Sequence, residues 1–308
     1  ADSRGNFIPL GDRAGIIYDT LSALALDLQL ARERTQMPFA INQKIWPAIL
    51  AVLLASGSPI GGASAADMTA RQVAVAVFKT PPGEKIDLSG KNLSELDLAG
   101  IDFRAAVLSH ANLYGADLSQ ANLEGIVLAG VKLDRAVMTR TSFKGANLEG
   151  ASILKPSIYS TPDFNIAETP VFEGARLKGA RIAARMDSVN FRGADLRDAA
   201  IGPFDMSVEG GLAPSSLMKG ADFTGASMEG VEIRNVNFTF GRFSGANLKG
   251  ARLIAIDFSN ADFSGADLTG VVFTGCSFEG AKFTGAKGLE SAKGLETVIQ
   301  AKVERSGG

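Results

Sequence analysis

One histidine and one cysteine in 308 residues leave little nucleophilic or metal chemistry to place. His110 is the residue type of a general base and Cys276 that of a thiolate nucleophile or metal ligand. Each stands alone, whereas base catalysis needs a partner within hydrogen-bond reach and a metal needs several converging ligands. Cys276 falls two positions before Phe278 in a small inward slot, the setting of a buried thiol and not of an exposed electropositive one. Carboxylates that could form acid–base pairs recur, as at Asp117, Asp222, Asp262 and Asp267, but at multiples of five residues. Their spacing is therefore a property of the scaffold. The abundant glycines keep the same period and form no G-x-G-x-x-G loop before a helix. The expectation is no cofactor, no metal and no catalytic site: not an enzyme.

What positions these residues is the period itself. From Leu88 a large apolar residue returns every fifth position, through Leu93, Leu98, Phe103 and Leu108 to Ile153, and again from Phe223 to Phe283. Five fits neither the 3.6 of a helix nor the 2 of a flat strand. It fits a coil that turns a corner every five residues. A small residue two places earlier, as at Ala111, Ala116 and Ala246, implies a narrow interior that admits one bulky group per side. Asp or Asn commonly lies between the two, and Gly commonly ends the unit, where a tight corner favours a residue without Cβ. Phe223, Phe243, Phe263 and Phe283 are twenty apart, as are Phe238, Phe258 and Phe278. Like residues at that spacing imply four sides per turn, on the order of ten coils and a rod of roughly 45–50 Å.

Runs such as "ANLYGADLSQANLEG" (Ala111–Gly125) and "ADFSGADLTG" (Ala261–Gly270) resemble the A(D/N)LxX motif of pentapeptide-repeat proteins. The resemblance covers Ile86 to about Ala286. It implies an all-β solenoid, a right-handed quadrilateral β-helix, here expected with short helical caps at both ends.

Along the chain, residues 1–36 read as an upstream extension. Residues 37–65 read as a secretory signal peptide: Met37, Lys44, the apolar run Ile45–Ala55 and the A-x-A stretch Ala63–Ala65, with a mature start near Ala66. The alternative is an amphipathic N-terminal helix around Ile16–Arg34 followed by a signal anchor. Residues 66–85 are expected to hold a capping helix over Met68–Lys79, with Thr69 as cap and Pro81–Pro82 as stop. The β-helix follows at 86–286, with degenerate rungs at 155–171 and 202–220, and 287–308 form a C-terminal cap and tail. In the middle the anchors Ile153, Phe172 and Phe191 fall nineteen apart, as do Leu177 and Leu196, and Ile182 and Ile201. One shortened corner per coil accounts for this. The competing reading is two excised loops and a gap in the column.

Net charge is −2, and Ala1–Ala65 holds five acids and five bases, so its removal leaves −2. Within the resembled family some members mimic DNA and bind DNA gyrase, a role that needs a strongly negative surface. A cytoplasmic gyrase-binding DNA mimic is thus the alternative here. The basic cluster Arg176, Lys178, Arg181, Arg185, Arg192 and Arg197 is diluted by Glu173, Asp187 and Asp198, so nucleic acid is not an expected partner. The favoured expectation is a noncatalytic periplasmic or secreted scaffold that binds an envelope protein through its flat faces, with no stable membrane insertion after cleavage. A homodimer is compatible with it. Candidate partner-binding residues are Tyr159, Phe164, Met206 and Met218, where the repeat grammar breaks, and Arg176, Lys178, Arg181 and Arg197 of the basic cluster.

Overall fold

The computed structural model describes residues 65–159, 165–204 and 216–295, all within one compact unit, Ser64–Gly308. The expected extension at 1–36, nearly all of the expected signal peptide at 37–65, Phe164 and Met206 lie outside the described residues.

The chain coils into a β-solenoid of about nine turns. Each coil pairs in parallel with the next. The longest ladder runs through Ser152–Leu154, Arg181–Ala183, Ala200–Ile201, Glu232–Arg234, Arg252–Ile254 and Val272–Thr274, each strand bonded to its successor. The pentad explains the geometry residue by residue. The large residue and the small one two places before it point inward and are buried, as Leu113 and Ala111 are. The polar residue between them closes a local turn: Asp117 Oδ1 accepts the Ser119 N–H at 2.8 Å and Asp262 Oδ1 that of Ser264 at 2.9 Å. This is the Asx turn, which lets a side chain supply an acceptor the backbone lacks. At the corner, Leu108 C=O accepts the N–H of Ala111 at 3.1 Å across His110, whose φ is +58°. Positive φ at that place is the type II pattern, and it accounts for glycine there.

Four inward columns result. In one, Phe143, Phe172, Phe191, Phe223, Phe243, Phe263 and Phe283 stack face to face with centroids 4.9–5.2 Å apart and planes within 10°. Parallel stacking at the rise of one coil follows from putting identical rings on successive rungs.

Thr69 caps the N-terminal helix (Ala70–Lys79) in a capping box with Gln72, as expected. Val73 and Val77 are buried against the first coil. The expected C-terminal cap at 287–308 is described only in part. Residues 287–295 are not helical: Lys287 pairs with Asp267 and Lys293 with Val272, continuing the column. The rest of the expected C-terminal cap lies outside the described residues.

The middle register also differs from expectation. Ile153 pairs with Ile182, and Phe172 stacks on Phe143, so Ile153, Phe172 and Phe191 do not share a column. One four-residue corner, Ile182 to Met186, produces the nineteen-residue spacings of Phe172/Phe191, Leu177/Leu196 and Ile182/Ile201. The additional residues leave between Ile158 and Phe172 and between Ile201 and Met218, intervals of fourteen and seventeen where five suffice. The column closes beneath both departures without a gap. Lys155–Ile158 and Leu217–Gly220 keep the regular rung pattern, so the degenerate stretches are shorter than 155–171 and 202–220.

Candidate partner-binding surface

The four-residue corner sits between the two departures, and residues from both are tied to it. Tyr159, the last described residue before the first departure, donates its hydroxyl proton to the Asp187 carbonyl at 3.1 Å. Its ring lies 5.7 Å from the Arg185 guanidinium carbon. Burial foremost, and then the Asp187 charge, push the phenol well above its ordinary value. Asp187 is itself buried: Oδ2 accepts from Arg185 Nε at 3.0 Å and Oδ1 from the Lys219 N–H at 2.9 Å. Three successive coils are thereby joined. On the adjoining face Phe204, at the second departure, has the Arg181 guanidinium over its ring at 4.4 Å. Cation–π contacts of this kind contribute about 0.5–1 kcal/mol at exposed sites. Ile166 projects from a short 3₁₀ turn in the first departure and is 62% exposed.

Of the candidates expected from sequence, the structure brings Tyr159 and Arg181 to the two sides of this corner. It does not bring Arg176, Lys178 or Arg197 there. These three lie on the face of Leu177 and Leu196, where Arg176 pairs with Glu149, Lys178 with Asp198 at 3.9 Å and Arg197 with Asp195 at 2.6 Å. The Arg197 side-chain hydrogen bond holds the Asp195 carboxyl below its usual range. That face is mixed and paired, as the interspersed acids predict. Met218 is corrected outright: it is fully buried, occupying the column position between Met186 and Phe238, so it is core and no contact residue. In the sequence Arg185 stands only as part of a basic cluster and Asp187 only as an acid that dilutes it, while Phe204 carries no signal of its own. The four-residue interval Ile182–Met186 was the signal that could have marked all three.

Chemistry is sparse elsewhere. His110 is exposed, its ring folded over Gly130 on the next coil. Cys276 is half-buried, Sγ 3.4 Å from the Leu253 carbonyl, and burial pushes its thiol up. Among the described residues no group of His, Cys, Asp and Glu could hold a metal ion, and no helix is long and apolar enough to cross a membrane.

The family model for pentapeptide repeats matches in eight copies over residues 86–125, 121–153, 216–253 and 251–287. The chain is a pentapeptide-repeat protein. The interval left unmatched between the two blocks, 154–215, holds the short corner and both departures. Solved structures resembling it include HetL, a pentapeptide repeat protein involved in heterocyst differentiation regulation from the cyanobacterium Nostoc sp. strain PCC 7120. The two are 22% identical over 73% of this chain and 94% of that one, with a TM-score of 0.47. QnrB1, a plasmid-mediated fluoroquinolone resistance protein, is 16% identical over 71% and 97%, with a TM-score of 0.27. A pentapeptide repeat protein of the Arabidopsis thaliana thylakoid lumen is 26% identical over 39% and 68%, at 0.14. Likenesses this distant carry no functional argument. No curated protein matches the chain significantly.

Proposed function

We propose that this pentapeptide-repeat protein is a noncatalytic, exported scaffold that holds a protein partner on the surface framed by Tyr159–Arg185 and Arg181–Phe204. One observation carries the reading. Two chain departures, from the coils on either side of the one that holds the short corner, are anchored by aromatic–arginine contacts to Arg185 in that corner and Arg181 at its edge, while the column beneath them stays closed. A rigid solenoid presents such a feature at a fixed place, which is how repeat proteins commonly engage partners. The half-exposed Phe204 under the Arg181 guanidinium and Tyr159 under that of Arg185 combine aromatic and cationic contact, and Tyr and Arg are enriched at binding hot spots. Export is supported by the basic, apolar and A-x-A order of residues 44–65.

The test is photo-crosslinking in living cells from a benzoylphenylalanine placed at position 204 or 166, with position 269 on a regular face as control. Defined protein adducts from 204 and 166 but not 269 are expected. Adducts of equal yield from all three, or from none, overturn the reading.

A further inference from the structure

Most cations of the middle coils have a partner. Arg140 meets Glu168, Lys144 meets Glu173, and Arg192 and Arg242 share Asp222. Among the described residues Lys132, Arg135 and Lys155 form no ion pair. They lie together on the face of Leu133 and Ile153: Lys132 precedes Leu133, and Arg135 and Lys155 occupy the same corner on successive coils. The bond from Arg135 N–H to Leu154 C=O, at 2.8 Å, sets their backbones one rung apart. All three are exposed. The acid between them is engaged: Asp134 Oδ1 accepts from Ser152 Oγ at 2.7 Å and from the Leu154 N–H at 3.0 Å.

The corner column makes this arrangement costly. Arg135 and Lys155 have φ of +60° and +52°, where glycine is the strain-free choice. Some other non-glycine residues at corners lean over the glycine of the next coil, as Glu95 does over Gly115 and Asn260 over Gly280, and others stand beneath an uncharged residue, as Phe240 does beneath Asn260. Above Arg135 stands a second cation instead. Two like charges one rung apart, both in left-handed backbone, give the fold nothing that glycine would not give better. Strain of this kind points to function when an outlier is observed first.

We infer that Lys132, Arg135 and Lys155, continued by Arg181 on the coil above, bind a short acidic segment of the protein partner in extended conformation. Alternate side chains of an extended strand lie about 6.8 Å apart on one face, within the sweep of long cationic side chains on a 4.8 Å ladder. Tyr114, 38% exposed one coil below, and half-buried Leu154 supply apolar contact beside the charges. A nucleic acid fits less well: three or four cations are fewer than the roughly 6–10 phosphate contacts of a DNA-binding surface, and the chain's net charge is −2. The inference rests on the scaffold reading and names the chemistry of its partner.

The experiment is fluorescence anisotropy on the full chain with a labelled peptide of alternating Glu and Gly. Probes for comparison are its Gln counterpart and a single-stranded oligonucleotide of equal charge. The variant is R135G/K155G, with R197A as a control on the other face. The Glu peptide is expected to bind wild type and R197A in low salt and the double variant at least about tenfold more weakly. The Gln peptide is expected not to bind, and the melting temperature of the double variant to be no lower than wild type. No binding of the Glu peptide, undiminished binding to R135G/K155G, or tighter binding of the oligonucleotide would overturn the inference. Crosslinking at 204 and 166 is read independently: peptide binding without those adducts removes the scaffold reading and leaves a bare anion site.

Discussion

Each residue in the pentad answers to a local requirement, and the exceptions show which requirement rules. Thr141 and Cys276 both occupy the small slot, and both donate to a carbonyl twenty-three residues earlier, Thr141 Oγ1 to Leu118 at 2.8 Å and Cys276 Sγ to Leu253 at 3.4 Å. Cys276→Ser is therefore expected to change stability by less than about 1 kcal/mol, measured by urea denaturation. The raised thiol should also resist iodoacetamide at pH 8 until the protein is unfolded. Gly130 is the opposite case. Its φ is +67° and an added Cβ would lie 2.3 Å from His110 Nδ1. Gly130→Ala should cost about 1–2 kcal/mol, with part recovered in His110→Ala/Gly130→Ala. A full loss of stability unchanged by the second substitution would show that backbone strain alone sets the cost.

At the scale of the element, the ladders carry both stability and its pH dependence. Phe191 is stacked between Phe172 and Phe223, while Phe283, among the described residues, is stacked on Phe263 alone, with Phe278 tilted beside it. Phe191→Ala should cost about 3–5 kcal/mol and Phe283→Ala distinctly less, compared through denaturant midpoints at constant slope. Asp222 ties three coils through Arg192 at 3.2 Å and Arg242 at 3.1 Å. Burial works to raise its carboxyl, but hydrogen bonds from Thr224 and the Arg242 charge hold it below its ordinary value. The Asx-turn carboxylates Asp257, Asp262 and Asp267 are lowered too, first by side-chain hydrogen bonds from Ser259, Ser264 and Thr269. A folded carboxyl below its unfolded value adds stability that is complete above the unfolded value and fades as pH falls through the folded one. Melting temperature should thus hold from neutrality to about pH 5 and drop below about pH 4, and the Asp222→Asn variant should show a shallower acid drop. An acid profile identical to wild type would remove Asp222 from the account.

Legibility differed between these elements for a physical reason. Columns built from Leu88 to Leu148 and from Phe223 to Phe283 follow from spacing because every corner there takes five residues. Between them the four-residue corner at Ile182–Met186 and the two departures change the count while preserving the stack. A period read along the chain sees the count, whereas packing obeys the stack. Spacing alone therefore groups Ile153 with Phe172 and puts Met218, beside a departure, among surface residues. Tyr159 is visible as a break in the pattern and Arg181 as part of a basic cluster, but their association with Arg185, Asp187 and Phe204 depends on which coils become neighbours. The unpaired trio of Lys132, Arg135 and Lys155 was hidden for the opposite reason. Cations within regular repeats look like ordinary solvated positions until the acids near them are seen to be engaged elsewhere.

For the molecule as a whole, a stack of about nine turns held by parallel ladders gives a stiff frame with one irregular zone at its middle. Expressed from its own frame in a Gram-negative host, the protein is expected in the periplasm with an intact mass that begins near Ala66. A full-length cytoplasmic species would end the export proposal and bring gyrase supercoiling assays forward. The most direct test of the central claim is hydrogen exchange on the protein bound to the partner captured through position 204. New protection is expected at Tyr159 and across Arg181–Ser188, with the amides of Leu248–Asp267 unchanged. Protection centred on those regular coils, or on the capping helix, would contradict it.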